Sequence, residues 1–206
     1  MDGLKHIMDG TKELMNELFD GVRENGGALR SMAEHLGVTD VCAIVETVLE
    51  GGLNEEMPYP VLHFHITLAQ NVPDAAADNI CVSLNELNNV TGVGEYPCFG
   101  SFAYYPRLNQ IYLTYRLPVN PEAPEDELVN IRYYFGVLYE QLDLFADFIM
   151  LLCDSGGNIL SLEEYVDYLA EIQDMNDIEE RVRLLEKRMK EAESIGAGTA
   201  EEEIDG

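Results

Sequence analysis

The sequence predicts an α+β fold followed by a helical extension, and three observations carry that expectation. A strict two-residue alternation of apolar and polar side chains marks a strand over residues 60–70. A hairpin signal rich in aromatic residues follows over 99–117, and an unbroken three-and-four apolar spacing marks a long helix over 125–153. The chain has 206 residues, 47% of them hydrophobic, which is enough for a packed core and fits one domain with an elaboration.

In chain order, Leu4, Ile7, Met8, Thr11, Met15, Leu18, Phe19 and Val22 recur at helical spacing and predict an amphipathic helix over 4–22 that Asn25-Gly26-Gly27 breaks. Residues 28–36 predict a short second helix ended by Gly37 in a C-cap position, so 1–36 is expected to be a unit of N-terminal helices. The Val, Ile and Thr content of 38–49 favours a strand, with a helix starting at Thr39 as the alternative. Gly51-Gly52 and Pro58 bound a loop. In the strand over 60–70, Leu62, Phe64, Ile66 and Leu68 point one way while His63, His65, Thr67 and Ala69 point the other.

Residues 74–89, from Asp74, predict a helix with a broad apolar face that includes Ile80, Val82, Leu84 and Leu87, and 91–97 a loop with glycines. The hairpin strands fall at 99–105 and 110–117, joined by Pro106-Arg107-Leu108-Asn109. A stiff linker, Asn120-Pro121-Glu122-Ala123-Pro124, leads into the long helix, whose first turn holds Glu125, Asp126 and Glu127, where negative charge favours the helix dipole. One apolar stripe of that helix runs through Leu128, Ile131, Phe135, Leu138, Leu142, Phe145, Ile149 and Leu152. A second lies beside it: Tyr134, Val137, Leu144, Phe148 and Leu151. A small sheet covers one stripe, so the second is the candidate protein-binding surface, unless the C-terminal segment folds back over it. Ser161 and Glu164 predict a capping box for a final helix, whose seam is Ile178, Val182, Leu185 and Met189, with Glu179–Arg183 and Glu186–Lys190 as flanking pairs. The expected organisation is a body over 37–153, a helical extension over 154–195 and a flexible acidic tail over 196–206.

Acidic residues number 39 against 12 basic ones, for a net charge of -27. Such a surface repels phosphate backbones and anionic lipid heads, so no direct nucleic-acid or membrane partner is expected, and basic protein partners fit better. The longest apolar run, 148–153, is far too short to span a bilayer, and the first residues lack the pattern of a signal peptide, so the cytoplasm is the expected compartment. Cys42, Cys81, Cys98 and Cys153 have neither zinc-knuckle nor redox-dithiol spacing and are expected as small buried hydrophobes.

Catalytic constellations are sparse. His63 and His65 share a strand face and could share a metal, but no third ligand accompanies them, so neither metal nor cofactor is expected. Asp154-Ser155-Gly156-Gly157-Asn158 begins like a calcium loop and then departs from it, with Ile159 at the glycine position and Tyr165 at the closing glutamate position. There is no dinucleotide fingerprint, phosphate loop or nucleophile elbow. Tyr104, Tyr105, Tyr112, Tyr115, Tyr133, Tyr134 and Tyr139 gather in the hairpin and long helix; about half suit the core and the exposed remainder a protein-binding surface. The expected function is therefore binding of a protein partner, not catalysis. The alternatives are a metal-dependent enzyme built on His63 and His65 and an acidic nucleic-acid mimic.

From Leu84-Asn85-Glu86-Leu87-Asn88 onward the chain resembles the YbjN family, bacterial proteins with the type III secretion chaperone-like fold. Leu84, Asn85 and Asn88 match that family's helix-ending Leu-Asn-x-x-Asn pattern, and the loop, aromatic hairpin, acidic linker and long helix follow in the family's order. The likeness covers 37–153, and 154–206 has no counterpart in it. The resemblance implies an antiparallel sheet of about four or five strands with helices packed on one side. It also implies a frequent homodimer, no active site, and a chaperone-like or regulatory role. Asn85 and Asn88 are expected to serve the fold at a helix end.

Overall fold

The structure, a computed structural model, describes residues 2–51, 60–73, 76–93, 99–154 and 160–202. The loop around Gly52 and Pro58, Asp74, the loop beyond Val93, Cys98, the turn at Gly156-Gly157 and the tail beyond Glu202 lie outside the described residues. The fold is α+β, with an antiparallel sheet of six strands in the order β1-β2-β3-β4-β6-β5, a layer of helices against it, and a C-terminal helical part.

Helix α1 (Asp2–Leu18) is shorter than the periodicity predicts, because the chain turns into strand β1 (Asp20–Asn25) directly after Phe19. Gly26 and Gly27 close a two-residue hairpin turn, both with positive φ (59° and 85°), the conformation that matches the twist of paired strands. The expected second helix is instead strand β2 (Ala28–Leu36), paired to β3 (Val41–Glu50). The cause of the error is local. Leu29, Ala33 and Leu36 are buried at helix-like spacing because the register shifts between Ala33 and Leu36, where His35 takes a φ of 61°. The inward position that would have betrayed the alternation is Ser31, which is polar and buried, with its hydroxyl donating to the carbonyl of Asp20 (2.8 Å). Gly37 is accordingly no C-cap. It sits in the tight β2–β3 turn with a φ of 65°.

Strand β4 (Val61–Ala69) buries Leu62, Phe64, Ile66 and Leu68, as alternation requires. Its last residue, Ala69, is buried as well, because the pairing with β6 slips between Thr67 and Ala69. Helix α2 (Ala77–Val93) then crosses to the far edge, where β5 (Ser101–Tyr105) and β6 (Gln110–Pro118) form the expected hairpin, with β6 lying against β4. The sheet has six strands against the expected four or five, because the β1–β2 hairpin lies where helical spacing predicts helix.

Helix α3 (Pro124–Asp154) supplies most of the helical layer. Its stripe of Ile131, Phe135, Leu138, Leu142, Phe145, Ile149 and Leu152 is buried, with Phe135 edge-on to Phe64 of β4 at 4.9 Å between ring centroids. Helix α1 packs beside it so closely that a Cβ on Gly10 would come within 2.5 Å of Leu128 Cδ1. The extension holds two helices, α4 (Leu162–Ile172) and α5 (Ile178–Glu202), where the sequence predicts a single final helix. Ser161 and Glu164 form the expected capping box on α4. The hydrogen bonds to Ser161 hold the Glu164 carboxyl below its ordinary range. Helix α5 continues to Glu202, past Gly196 where the sequence predicts a flexible tail. Once a helix is nucleated each further residue adds a hydrogen bond, which favours continuation over a new end.

Candidate protein-binding surface

The second stripe of α3 meets two different fates. Toward the C-terminus Phe148 and Leu151 are buried and Leu144 is partly buried. Tyr165 of α4 lies over them: its ring is 5.2 Å from that of Phe148, and its hydroxyl donates to the Leu144 carbonyl at 2.8 Å. Tyr165 is itself fully buried, and burial raises its phenol well above the ordinary range. Three of the five candidate binding residues are thus engaged within the chain, and Phe148 and Leu151 are not free to dock a partner. The lid is α4 and not the seam of α5. Leu185 is the buried member of that seam, and α5 is tied to α4 by the Arg188–Glu171 ion pair (2.7 Å). Ile178 is exposed, and Val182 and Met189 are partly buried.

Toward the N-terminus the stripe is less completely covered: its members Tyr134 and Val137 are only partly buried, and beside it Val129 is 70% exposed and Tyr133 62%. Beneath and beside them lie Phe99, which precedes β5, and Tyr115 of β6. The four rings pack on one another: Phe99–Tyr134 at 4.7 Å, Tyr115–Tyr134 at 5.3 Å, Tyr133–Tyr134 at 5.8 Å and Phe99–Tyr133 at 6.0 Å. At these separations the rings fill one another's space, so they form a raised cluster with usable outer faces, not a cage around a ligand. Burial, with a hydrogen bond to Tyr134, pushes the Tyr115 phenol up to about 12. Phe99 is held in place by its backbone N–H, which donates to Oε1 of the buried Gln141 (3.1 Å).

The edges of this surface are acidic. Asp126 and Glu140 are exposed and stand seven residues to either side of Tyr133, about 10 Å along the helix in each direction. At its C-terminal end the surface stops against the β2–β3 turn. There the buried carboxylate of Asp147 accepts from the N–H of Val38 (2.8 Å), the N–H of Thr39 (3.0 Å) and the Thr39 hydroxyl (2.5 Å), while Asp143 accepts from the Gly37 N–H (2.9 Å). A Cβ on Gly37 would strike Asp147 Oδ1 at 2.5 Å, so glycine is needed there twice, for its φ and for room. Asp147 escaped the sequence reading because a carboxylate between Ala146 and Phe148 looks like one more solvated charge.

Leu84, Asn85 and Asn88 lie inside α2, not at its end. Leu84 is buried and Asn85 exposed. Asn88 does serve the fold, by another route than capping. Its amide nitrogen donates to the Phe102 carbonyl and its amide oxygen accepts from the Phe102 N–H, both at 2.8 Å. One side chain thereby satisfies both edge-facing backbone groups of a residue on β5, as a neighbouring strand would.

On the helix-free face of the sheet, His63 and His65 stand side by side, 6.2 Å between centroids. His63 Nδ1 is 2.9 Å from Glu50 Oε1 and its Nε2 is 2.8 Å from the Thr114 hydroxyl, so both ring nitrogens are engaged. His65 lies over Tyr112 at 4.5 Å, and partial burial lowers its pKa. Among the described residues no group of three or more histidine, cysteine, aspartate or glutamate side chains could hold a metal ion. His35 is distant from this pair in register and bonded to Asp40 (2.6 Å), which raises its pKa. Cys42 and Cys81 are exposed, contrary to expectation; Cys153 is partly buried, its thiol pushed up to about 11 by burial. Among the described residues no helix is long and apolar enough to cross a membrane.

No family model, curated protein or solved structure matches this chain.

Proposed function

We propose that the chain is a protein-binding module, chaperone-like or regulatory, that acts in the cytoplasm by docking a partner and not by catalysing a reaction. The observation that carries this reading is the N-terminal half of α3, where Val129 and Tyr133 are exposed beside the partly buried stripe members Tyr134 and Val137. Neighbouring exposed apolar and aromatic side chains on one helix suit an interface, where tyrosine is enriched and forms anchors. The occupant is a protein segment that is apolar and basic. The net charge of -27 and the flanking Asp126 and Glu140 favour cations, and the outer face of Tyr133 accepts one by cation–π attraction.

The surface can be tested by placing a photocrosslinking residue at position 133 and, as a control, at position 32 on the other face of the sheet, where Met32 is also exposed. In extract of the source cell, the expected result is a discrete adduct from position 133 that Val129→Asp abolishes and that position 32 does not give. Equal trapping from both positions, or none from 133, would overturn the assignment.

A further inference from the structure

On the helix-free face of the sheet, three side chains from three strands form one hydrogen-bonded line. Glu50 ends β3, His63 lies on β4 and Thr114 on β6. Glu50 Oε1 is 2.9 Å from His63 Nδ1, and His63 Nε2 is 2.8 Å from the Thr114 hydroxyl. The acid at one end sets the direction of the protons. An ionised carboxylate only accepts, so Nδ1 carries the imidazole proton. Nε2 of the neutral ring is then an acceptor, and the Thr114 hydroxyl donates to it. The order carboxylate, imidazole, hydroxyl is the arrangement that makes a nucleophile of an alcohol, and it is defined by geometry and roles, not by order in the chain.

The surroundings suit that chemistry. An open depression of about 350 Å³ has Thr114, His63, His65, Tyr112 and Arg116 in its lining. The side chains of His63 and Glu50 are 19% and 32% exposed, so the base and the carboxylate that orients it are mostly withdrawn from water. Arg116 stands two residues beyond Thr114 on the same face, opposite His63 in register, with its guanidinium 66% exposed. In a chain of net charge -27, Arg107, Arg116 and Arg132 are the only lysines or arginines from 31 to 180, and one of the three lines this depression. His65 stands opposite Thr114 across the β4–β6 ladder, and its partly buried ring is neutral at pH 7 and able to donate an N–H to a carbonyl oxygen.

We propose that Thr114 is a nucleophilic hydroxyl that accepts an acyl group from an anionic activated donor, an acyl phosphate. Thr114 Oγ1 attacks the acyl carbon while His63 Nε2 takes the hydroxyl proton. The bond from that carbon to the bridging phosphate oxygen breaks, its electron pair leaves with the phosphate, and His63 returns the proton to it. The products are an ester on Thr114 and inorganic phosphate, and nothing is oxidised or reduced. Glu50 is a positioning residue that holds the imidazole in its tautomer, and Arg116 pairs with the phosphate of the donor. One acyl group per chain is a covalent modification of the module and requires no turnover. The site faces away from α3, so it does not rest on the docking surface assigned above.

The probe is acetyl phosphate, with the neutral ester p-nitrophenyl acetate as its uncharged counterpart. Each is incubated with the full chain, and the adduct is located by peptide mass spectrometry. An acetyl group is expected on Thr114, absent in Thr114→Val and present in Thr114→Ser. His63→Gln should slow its formation on the order of a hundredfold. The initial rate should rise with pH as one group loses its proton, and the rise should vanish in His63→Gln. The other charged or titratable groups that face His63 are Glu46 and Glu50 of β3, His65 of β4, and Tyr112 and Arg116 of β6. Glu50→Gln should slow the reaction and Glu50→Asp restore part of it. Arg116→Gln should slow transfer from acetyl phosphate about tenfold and leave p-nitrophenyl acetate unaffected. An equal effect on both donors would overturn the choice of an anionic donor. Acetyl groups confined to lysines and the N-terminus would overturn the proposal, as would a Thr114 adduct that forms equally fast in His63→Gln. Lowered melting temperatures in His63→Gln and Thr114→Val, with no adduct on the unmodified chain, would show that the three side chains only tie strands together.

Discussion

The two halves of one helix stripe differ in what covers them. In the C-terminal half of α3, Leu144, Phe148 and Leu151 lie beneath Tyr165 of α4. In the N-terminal half, Tyr134 and Val137 are only partly buried, and beside them Val129 and Tyr133 stand exposed. A stripe states that water should be excluded from a surface and says nothing about which molecule does it. The difference teaches where to look for function. The covered half contributes to stability, and the open half is available for binding.

The largest expected effect lies in the covered half. Phe148→Ala should cost about 3–5 kcal/mol in denaturant unfolding, by lost burial and a cavity under Tyr165. Tyr133→Ala should stay within about 0.5 kcal/mol. Similar losses at both sites would erase the comparison. Next comes the boundary between the halves. Asp147→Ala should cost about 2–3 kcal/mol, because the N–H groups of Val38 and Thr39 and the Thr39 hydroxyl lose a charged acceptor. A neutral result would show that water replaces the carboxylate and that the turn does not anchor α3.

Alkaline pH sharpens the contrast further. Tyr165 and Tyr168 on α4, and Tyr115 beneath the open half, all have pKa values raised above the ordinary 10, with Tyr115 and Tyr168 at about 12. A raised pKa means that the unfolded chain releases its proton first. The stability these phenols contribute is fully present below pH 10 and is lost as pH rises from 10 toward 12. Melting temperatures across that window should fall, and Tyr165→Phe should flatten the fall. A flat profile for the unmodified protein would show that these phenols are hydrated. The smallest effect concerns the sheet edge. Asn88→Ala should cost about 1 kcal/mol, measured by unfolding, and Asn85→Ala should be close to neutral. Equal effects of the two would mean that the clamp on Phe102 contributes nothing.

By itself the sequence determined the fold class, the strand at β4, the β5–β6 hairpin, the long helix, its two stripes and the capping box at Ser161. Each is written in short-range periodicity or in local hydrogen-bonding chemistry, and these act within a few residues. It misjudged 28–36 because a bulge at His35 gave Leu29, Ala33 and Leu36 the spacing of a helix, and a polar Ser31 concealed the alternation. Only tertiary structure decided that Asp147 would hold a turn more than a hundred residues away, that Asn88 would stand in for a strand at the edge of β5, and that α4 would cover one half of a stripe and leave the other open. These outcomes depend on which distant surfaces meet, and chain geometry, not residue pattern, settles that.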